Sequence, residues 1–214
     1  MKTIAFNARM FCAKAILPSA ALLLSGCALP LPDKPQRPQP YDLGPPLAAS
    51  ASAAALGVPL AVDRVNASVA IDGTAIVYRL MYSEDGRQPR PYAQARWTMS
   101  PPQMLTQRLR EAMAATRPVV DVGQGLAAVE MQTELEEFAH LFSSPDTSEG
   151  VVRLRVTVIA PAAKGQRLLG QRTIVVRAPA ASQDAPGGVA ALRTATDDAV
   201  AQAVQWVNAL PAPR

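Results

Sequence analysis

Residues 151–159 read Val151-Val152-Arg153-Leu154-Arg155-Val156-Thr157-Val158-Ile159. From Val152 onward aliphatic and polar side chains alternate strictly. That places Val152, Leu154, Val156 and Val158 on one face of an extended chain and Arg153, Arg155 and Thr157 on the other. The β-branched content suits a pleated surface with one buried side. The fold is therefore built around a sheet that hides one face and shows the other.

The preceding run, Leu126 to Phe142, admits two readings. Val129, Met131, Thr133 and Leu135 alternate with Glu130, Gln132, Glu134 and Glu136, as in a strand, whereas Met131, Leu135, Phe138 and Phe142 also fit a helical period. The strand is preferred because residues 151–159 are its natural partner, with a bulge near Glu136-Glu137 that shifts the phase. Glutamates on one strand then face arginines on its neighbour across the open side. After the turn at Lys164-Gly165, a third strand is predicted over about Gln166 to Arg177. The polar loop from Ser182 to Gly188 leads into a final helix lined on one side by Val189, Leu192, Thr196, Ala199, Val200, Ala203, Val207 and Leu210.

Upstream, Val58 to Val65 and Ala75 to Tyr82 read as strands. Ser83-Glu84-Asp85-Gly86-Arg87 signals a hairpin loop, and Arg90 to Trp97 is the return strand, with Pro91 confined to its edge or start. Ser100-Pro101-Pro102-Gln103 has the spacing of a capping box opening a helix. Met104, Leu105, Leu109, Ala112 and Met113 form its apolar face, and Arg117-Pro118 ends it. Val119 to Val122 starts a short strand. The sum is an α+β fold: a mixed, mainly antiparallel sheet packed with two main helices.

The N-terminus reads differently. A basic, polar stretch from Met1 to about Lys14 precedes an apolar run from Ala15 to Leu24, far short of the roughly 20 residues a membrane-spanning helix needs. It ends in Leu24-Ser25-Gly26-Cys27, which resembles the bacterial lipobox. Residues 1–26 are thus expected to be a lipoprotein signal peptide, with Cys27 as the lipid attachment site. The lipobox resemblance implies a diacylglyceryl thioether and an amide-linked acyl chain, and two or more chains suffice for stable anchoring. Ala28 in place of an Asp implies placement at the outer membrane, facing the periplasm. Residues 27–40 form a Pro-rich tether with a reach of roughly 40 Å in polyproline II; a ligand for a proline-recognition module is the weaker alternative. Residues 48–55 read as an Ala/Ser-rich loop, and residues 41–214 as a single domain.

Composition excludes several functions. Lys2, Arg9 and Lys14 leave with the signal, so the chain's 21 basic and 17 acidic residues become 18 and 17, and no cationic footprint for nucleic acid remains. Aromatics are only 5% of the chain, which argues against a base-stacking platform. Both cysteines lie in the first 27 residues, so no disulfide framework is expected. His140 is the only histidine, which rules out a His-based metal cluster within one chain, and it reads as an incidental surface or strand-end residue. No G-x-S-x-G elbow and no phosphate-binding glycine pattern occurs. Glu130, Glu134, Glu136 and Glu137 read as a solvated strand face ahead of an acid/base pair or calcium site. The expectation is a protein without catalytic, cofactor or metal residues.

Asp72-Gly73-Thr74-Ala75-Ile76-Val77-Tyr78-Arg79, then Pro91 to Trp97, then Pro101-Pro102 before a Leu-rich helix, resemble the ABC-type transport auxiliary lipoproteins. These include the paraquat-inducible C-type lipoproteins that accompany lipid transporters with MCE-domain subunits. The resemblance runs from about Tyr41 to Leu210. Ser68-Val69-Ala70-Ile71 stands where many members carry a Pro-Trp-Leu-type lead, which puts a binding role for that loop in doubt. The resemblance implies an MCE-domain protein of an ABC-type lipid transporter as partner, and a homo-oligomer. Tyr78, Arg79, Tyr92, Arg96 and Trp97 fall in its motifs and are candidate partner contacts, set against the alternative that the aromatics simply pack within the sheet. A structural or regulatory envelope lipoprotein, such as an assembly factor or peptidoglycan-synthase activator, is the rival reading, and a periplasmic enzyme a distant third.

Overall fold

The computed structural model describes residues 37–45 and 58–211. The signal segment, Cys27, most of the tether and the Ala/Ser-rich stretch lie outside the described residues.

Among the described residues, nine strands form one mixed sheet. They are β1 (Gln39–Tyr41), β2 (Leu60–Val62), β3 (Asn66–Ala67), β4 (Ala75–Leu80), β5 (Arg90–Trp97), β6 (Val119–Val120), β7 (Val129–Ser144), β8 (Thr147–Ala162) and β9 (Gly165–Pro179). The helices are α1 (Pro101–Ala114) and α2 (Ala185–Ala209). Among the described residues no helix is long and apolar enough to cross a membrane.

The strand reading of 126–142 holds. β7 pairs antiparallel with β8, and β8 with β9, along almost their whole lengths. Leu135 faces Leu154 while Glu137 faces Arg153, so Glu136 is the extra residue of a bulge. The bulge turns Phe138, His140 and Phe142 toward the helices. It sends Ala139 and Leu141 to the opposite face, where they pack with Val151. On its other edge β7 receives β2, β3 and β4 in succession, all parallel. β5 returns antiparallel to β4, β1 adds parallel to β5, and β6 adds parallel to β2. The long pairings are thus antiparallel and the short ones parallel. β1 takes up Gln39 and Pro40, so the folded domain begins within the end of the expected tether.

α2 lies across the inner faces of β8 and β9 because its small residues permit close approach. Ala191, Ala195, Ala199 and Ala203 are all buried, and a Cβ added to Gly150 would stand 2.5 Å from the Leu192 backbone nitrogen. The helix starts earlier than the glycine-rich sequence suggests. Asp184 is the N-cap, its carboxylate accepting from the Gly187 N–H at 2.9 Å, and Pro186 sits in the first turn. Gly187 and Gly188 are therefore helical, and the need for glycine there is steric: an added Cβ would lie 2.1 Å from the Ser182 carbonyl oxygen or 2.3 Å from His140 Nδ1.

α1 begins at Pro101, but the expected capping box does not form. Ser100 makes no side-chain cap, and its buried Oγ has no hydrogen-bond partner. The chain arrives from β5 by way of Thr98, whose N–H donates to the Tyr41 carbonyl, and the Ser100 carbonyl accepts from Gln103 and Met104 instead. The buried face of α1 also includes Arg108, which a polarity-based reading leaves out.

Candidate functional site

The structure divides the five hairpin residues singled out from sequence. Trp97 is 1% exposed and lies edge-on to Phe138, with ring centroids 5.6 Å apart, as a core residue under α1. Tyr78 and Tyr92 are half-buried, with centroids 4.7 Å apart, and Phe142 stands at 5.9 Å from Tyr78. Arg79 donates from Nη1 to the Arg87 carbonyl at 2.6 Å, bracing the β4–β5 loop. It borders an open groove of about 440 Å³ with Met81, Glu84, Arg87 and Glu137. Arg96 is exposed on β5. The three aromatics thus serve packing, and the two arginines remain toward solvent or loop.

The aromatic cluster leads to a polar chain. The Tyr92 hydroxyl lies 2.8 Å from His140 Nδ1, and His140 Nε2 lies 2.7 Å from Ser148 Oγ, which in turn donates to Gln183 Oε1. Because the Ser148 proton goes to Gln183, Ser148 accepts from Nε2–H. Nδ1 is left as acceptor for the Tyr92 O–H, and the ring is neutral. His140 is wholly buried, contrary to the surface position expected for it. Burial pushes its pKa down to about 4, against a smaller opposing pull from Asp184. Burial also pushes the Tyr92 phenol well up, with Tyr78 and Asp184 adding to the effect. A serine beside a histidine suggests a nucleophile, but Ser148 is 4% exposed and its hydroxyl proton is committed to Gln183. The chain instead ties β5, β7, β8 and the start of α2 into one junction.

A second clasp holds the N-terminal segment. Arg108 donates to the carbonyls of Leu43 and Gly44, the latter at 2.8 Å, and its Nη1 lies 3.3 Å from Asp197 Oδ1. That last contact is an ion pair without hydrogen-bond geometry, since Nη1 has no hydrogen-bond partner. Burial raises the Asp197 pKa, and Arg108 and Arg193 oppose the rise. The signal for this clasp is in the sequence: position 108 falls between Leu105 and Leu109 on the apolar face, where a charge must find a buried partner.

On the helix-free face the glutamates are already committed. Arg155 pairs with Glu134 at 3.5 Å and with Glu136, Arg153 with Glu137 at 3.6 Å, and Glu130 accepts from Gln132 at 2.9 Å. This is the cross-strand pairing expected from sequence. Among the described residues, no group of three or more His, Cys, Asp or Glu side chains is placed to hold a metal ion.

Fold and surface together define an α+β domain whose polar clusters brace its own elements. The family model for the ABC-type transport auxiliary lipoprotein component matches residues 41–204, and the chain belongs to that family. A Xanthomonas campestris protein of the DUF330 family is similar in structure, with 18% identity and a TM-score of 0.64, covering 80% of this chain and 93% of its own. A second, uncharacterized protein gives 15% identity and a TM-score of 0.61 over 80% of this chain and 99% of its own. Both show the same fold. No curated protein matches the sequence.

Proposed function

We propose that this chain is a non-catalytic subunit of an ABC-type intermembrane lipid transport system, acylated at Cys27 and held at the outer membrane facing the periplasm. Its partner is an MCE-domain protein of the transporter, and it acts as a homo-oligomer. The observation that supports the reading is the family match across 41–204 in a chain whose residues 24–27 resemble a lipobox. The mechanism is positional. Acyl chains fix one end, a Pro-rich segment spans the gap to the domain, and a rigid sheet presents contact surfaces to the partner.

Labelling of cells with radioactive palmitate, followed by membrane separation, tests the anchor. The full-length chain is expected to take up label and to fractionate with the outer membrane. Cys27→Ala is expected to lose both properties. An unlabelled chain, or a Cys27→Ala form that stays on membranes as firmly as the native one, contradicts the proposal.

A further inference from the structure

β9 pairs only with β8, and among the described residues no backbone hydrogen bond joins it to any other element. Its open edge runs from Gly165 to Pro179, 15 residues and roughly 50 Å of extended chain. Strands of ordinary length are far shorter. Edge strands are commonly protected by being short, by a proline within them or by a bulge. β9 has its one proline at its last position, and over residues 170–179 its register with β8 is unbroken.

The two faces of this edge differ. α2 packs on the inner face, where Ile174, Val176 and Ala178 are buried and a Cβ added to Gly170 would stand 3.1 Å from the Trp206 ring. The strand is thus held in place before anything joins it. On the outer face, opposite Ile159, Arg155 and Arg153 of β8, stand Leu168, Thr173 and Val175. Leu168 is 61% exposed and Val175 41%. Arg167 and Arg172 lie on the helix side, opposite Ala160 and Val156 of β8. Both are nevertheless exposed, and neither makes an ion pair among the described residues.

These positions decide the occupant. A row of unpaired strand N–H and C=O groups is completed by an extended chain. A second β9 brings no counter-charge, because the strand holds Arg167, Arg172 and Arg177 and no acid. Arg177 is already paired with Glu149. The two unpaired arginines stand opposite β8 residues four positions apart, since Leu169 is the extra residue of a bulge between them. A strand that follows β9 on its open edge as β8 does on the other meets them with acidic side chains spaced by four. The opposite face of that strand meets Leu168 and Val175, where aliphatic side chains fit. Opposite charges and apolar neighbours across a strand pair each favour pairing.

We infer that the open edge of β9 receives an extended acidic segment of a partner protein as a further strand of the sheet. Main-chain hydrogen bonds supply the affinity, and the alternate side chains supply the selectivity. Arg167 and Arg172 select for acid on the helix side, while Leu168, Thr173 and Val175 select for uncharged residues on the other. The site stands whether or not the partner is a transporter subunit.

The purified full-length chain in detergent is titrated with a fluorescent Thr-rich peptide that carries glutamates four positions apart on one face and valines on the other. Saturable binding is expected, with slowed amide exchange across residues 170–179 read by mass spectrometry. Arg167→Glu/Arg172→Glu should bind this peptide about tenfold more weakly. The same variant should prefer a peptide with lysine in place of glutamate, which also shows that it is folded. Absence of binding, a charge preference that the variant does not invert, or binding without protection of β9 overturns the site. Protection of β9 that grows with the concentration of the chain alone assigns the edge to a second copy and overturns it too.

Discussion

Lowering the pH from 7 to 4 should cost this domain stability through one side chain. The unfolded chain takes up a proton at His140 near the ordinary value of 6.5, whereas burial holds the folded pKa at about 4. Between these values the unfolded state binds more protons than the folded state, so stability is full above pH 6.5, falls as the pH drops toward 4, and levels off below. A difference of this size corresponds to about 3 kcal/mol, or a fall of roughly 6–12 °C in Tm for a domain of this length. The structural cause is specific: a charged ring cannot accept from Tyr92 at Nδ1, and among the described residues no buried carboxylate offsets the charge, the exposed Asp184 giving only a smaller pull. Thermal unfolding of a soluble form lacking the lipid anchor, measured by circular dichroism from pH 7 to 4, is the assay. His140→Gln serves as the reference, because it removes this titration and leaves the carboxylates in place. The wild type should lose stability more steeply than His140→Gln across the window. Parallel curves would refute the assignment of a neutral, buried histidine.

Other perturbations separate packing from surface. Asp197→Ala leaves the Arg108 guanidinium buried without its counter-charge and should destabilise by about 3–5 kcal/mol, read in urea unfolding; Arg108→Met/Asp197→Leu should recover much of that loss. Gly150→Ala drives a methyl into the backbone of α2, and overpacking of this kind costs about 1–3 kcal/mol, visible as a lower urea midpoint. Trp97→Ala should lose about 3–5 kcal/mol, whereas Arg96→Glu should leave stability within about 0.5 kcal/mol in the same measurement. If Arg96 contributes to the partner surface, that same variant weakens co-purification of the transporter.

The long hairpins were legible because the alternation over Val152–Val158 fixes which face is buried and makes that run the natural partner of Val129–Leu135, and because the phase change after Leu135 calls for a bulge. The parallel additions β2, β3 and β4 were less so. Pairing with β7 is set by which stretch of its free edge remains open, a tertiary property no local period encodes. The failed cap at Ser100 has the same origin: the spacing was right, but the chain enters from β5 through a bond to Tyr41 that fixes the approach. His140 shows the limit most clearly. A lone histidine in an alternating strand reads as incidental until Tyr92, Ser148 and Gln183, distant in sequence, close around it. The division of the hairpin motif into half-buried Tyr92, buried Trp97 and outward Arg96 follows from the register shift between β4 and β5, which changes the phase of β5 between Tyr92 and Ala95, so residue type and simple alternation do not say which face meets a partner.

The central claim is that this domain works as part of an ABC transporter. Affinity purification of the full-length chain from gently solubilised membranes, with subunit amounts quantified by mass spectrometry, tests it most directly. An ATPase, a permease and an MCE-domain protein in near-constant proportion to the bait are predicted. Recovery of cell-wall synthases in their place, or of the bait alone, would contradict it.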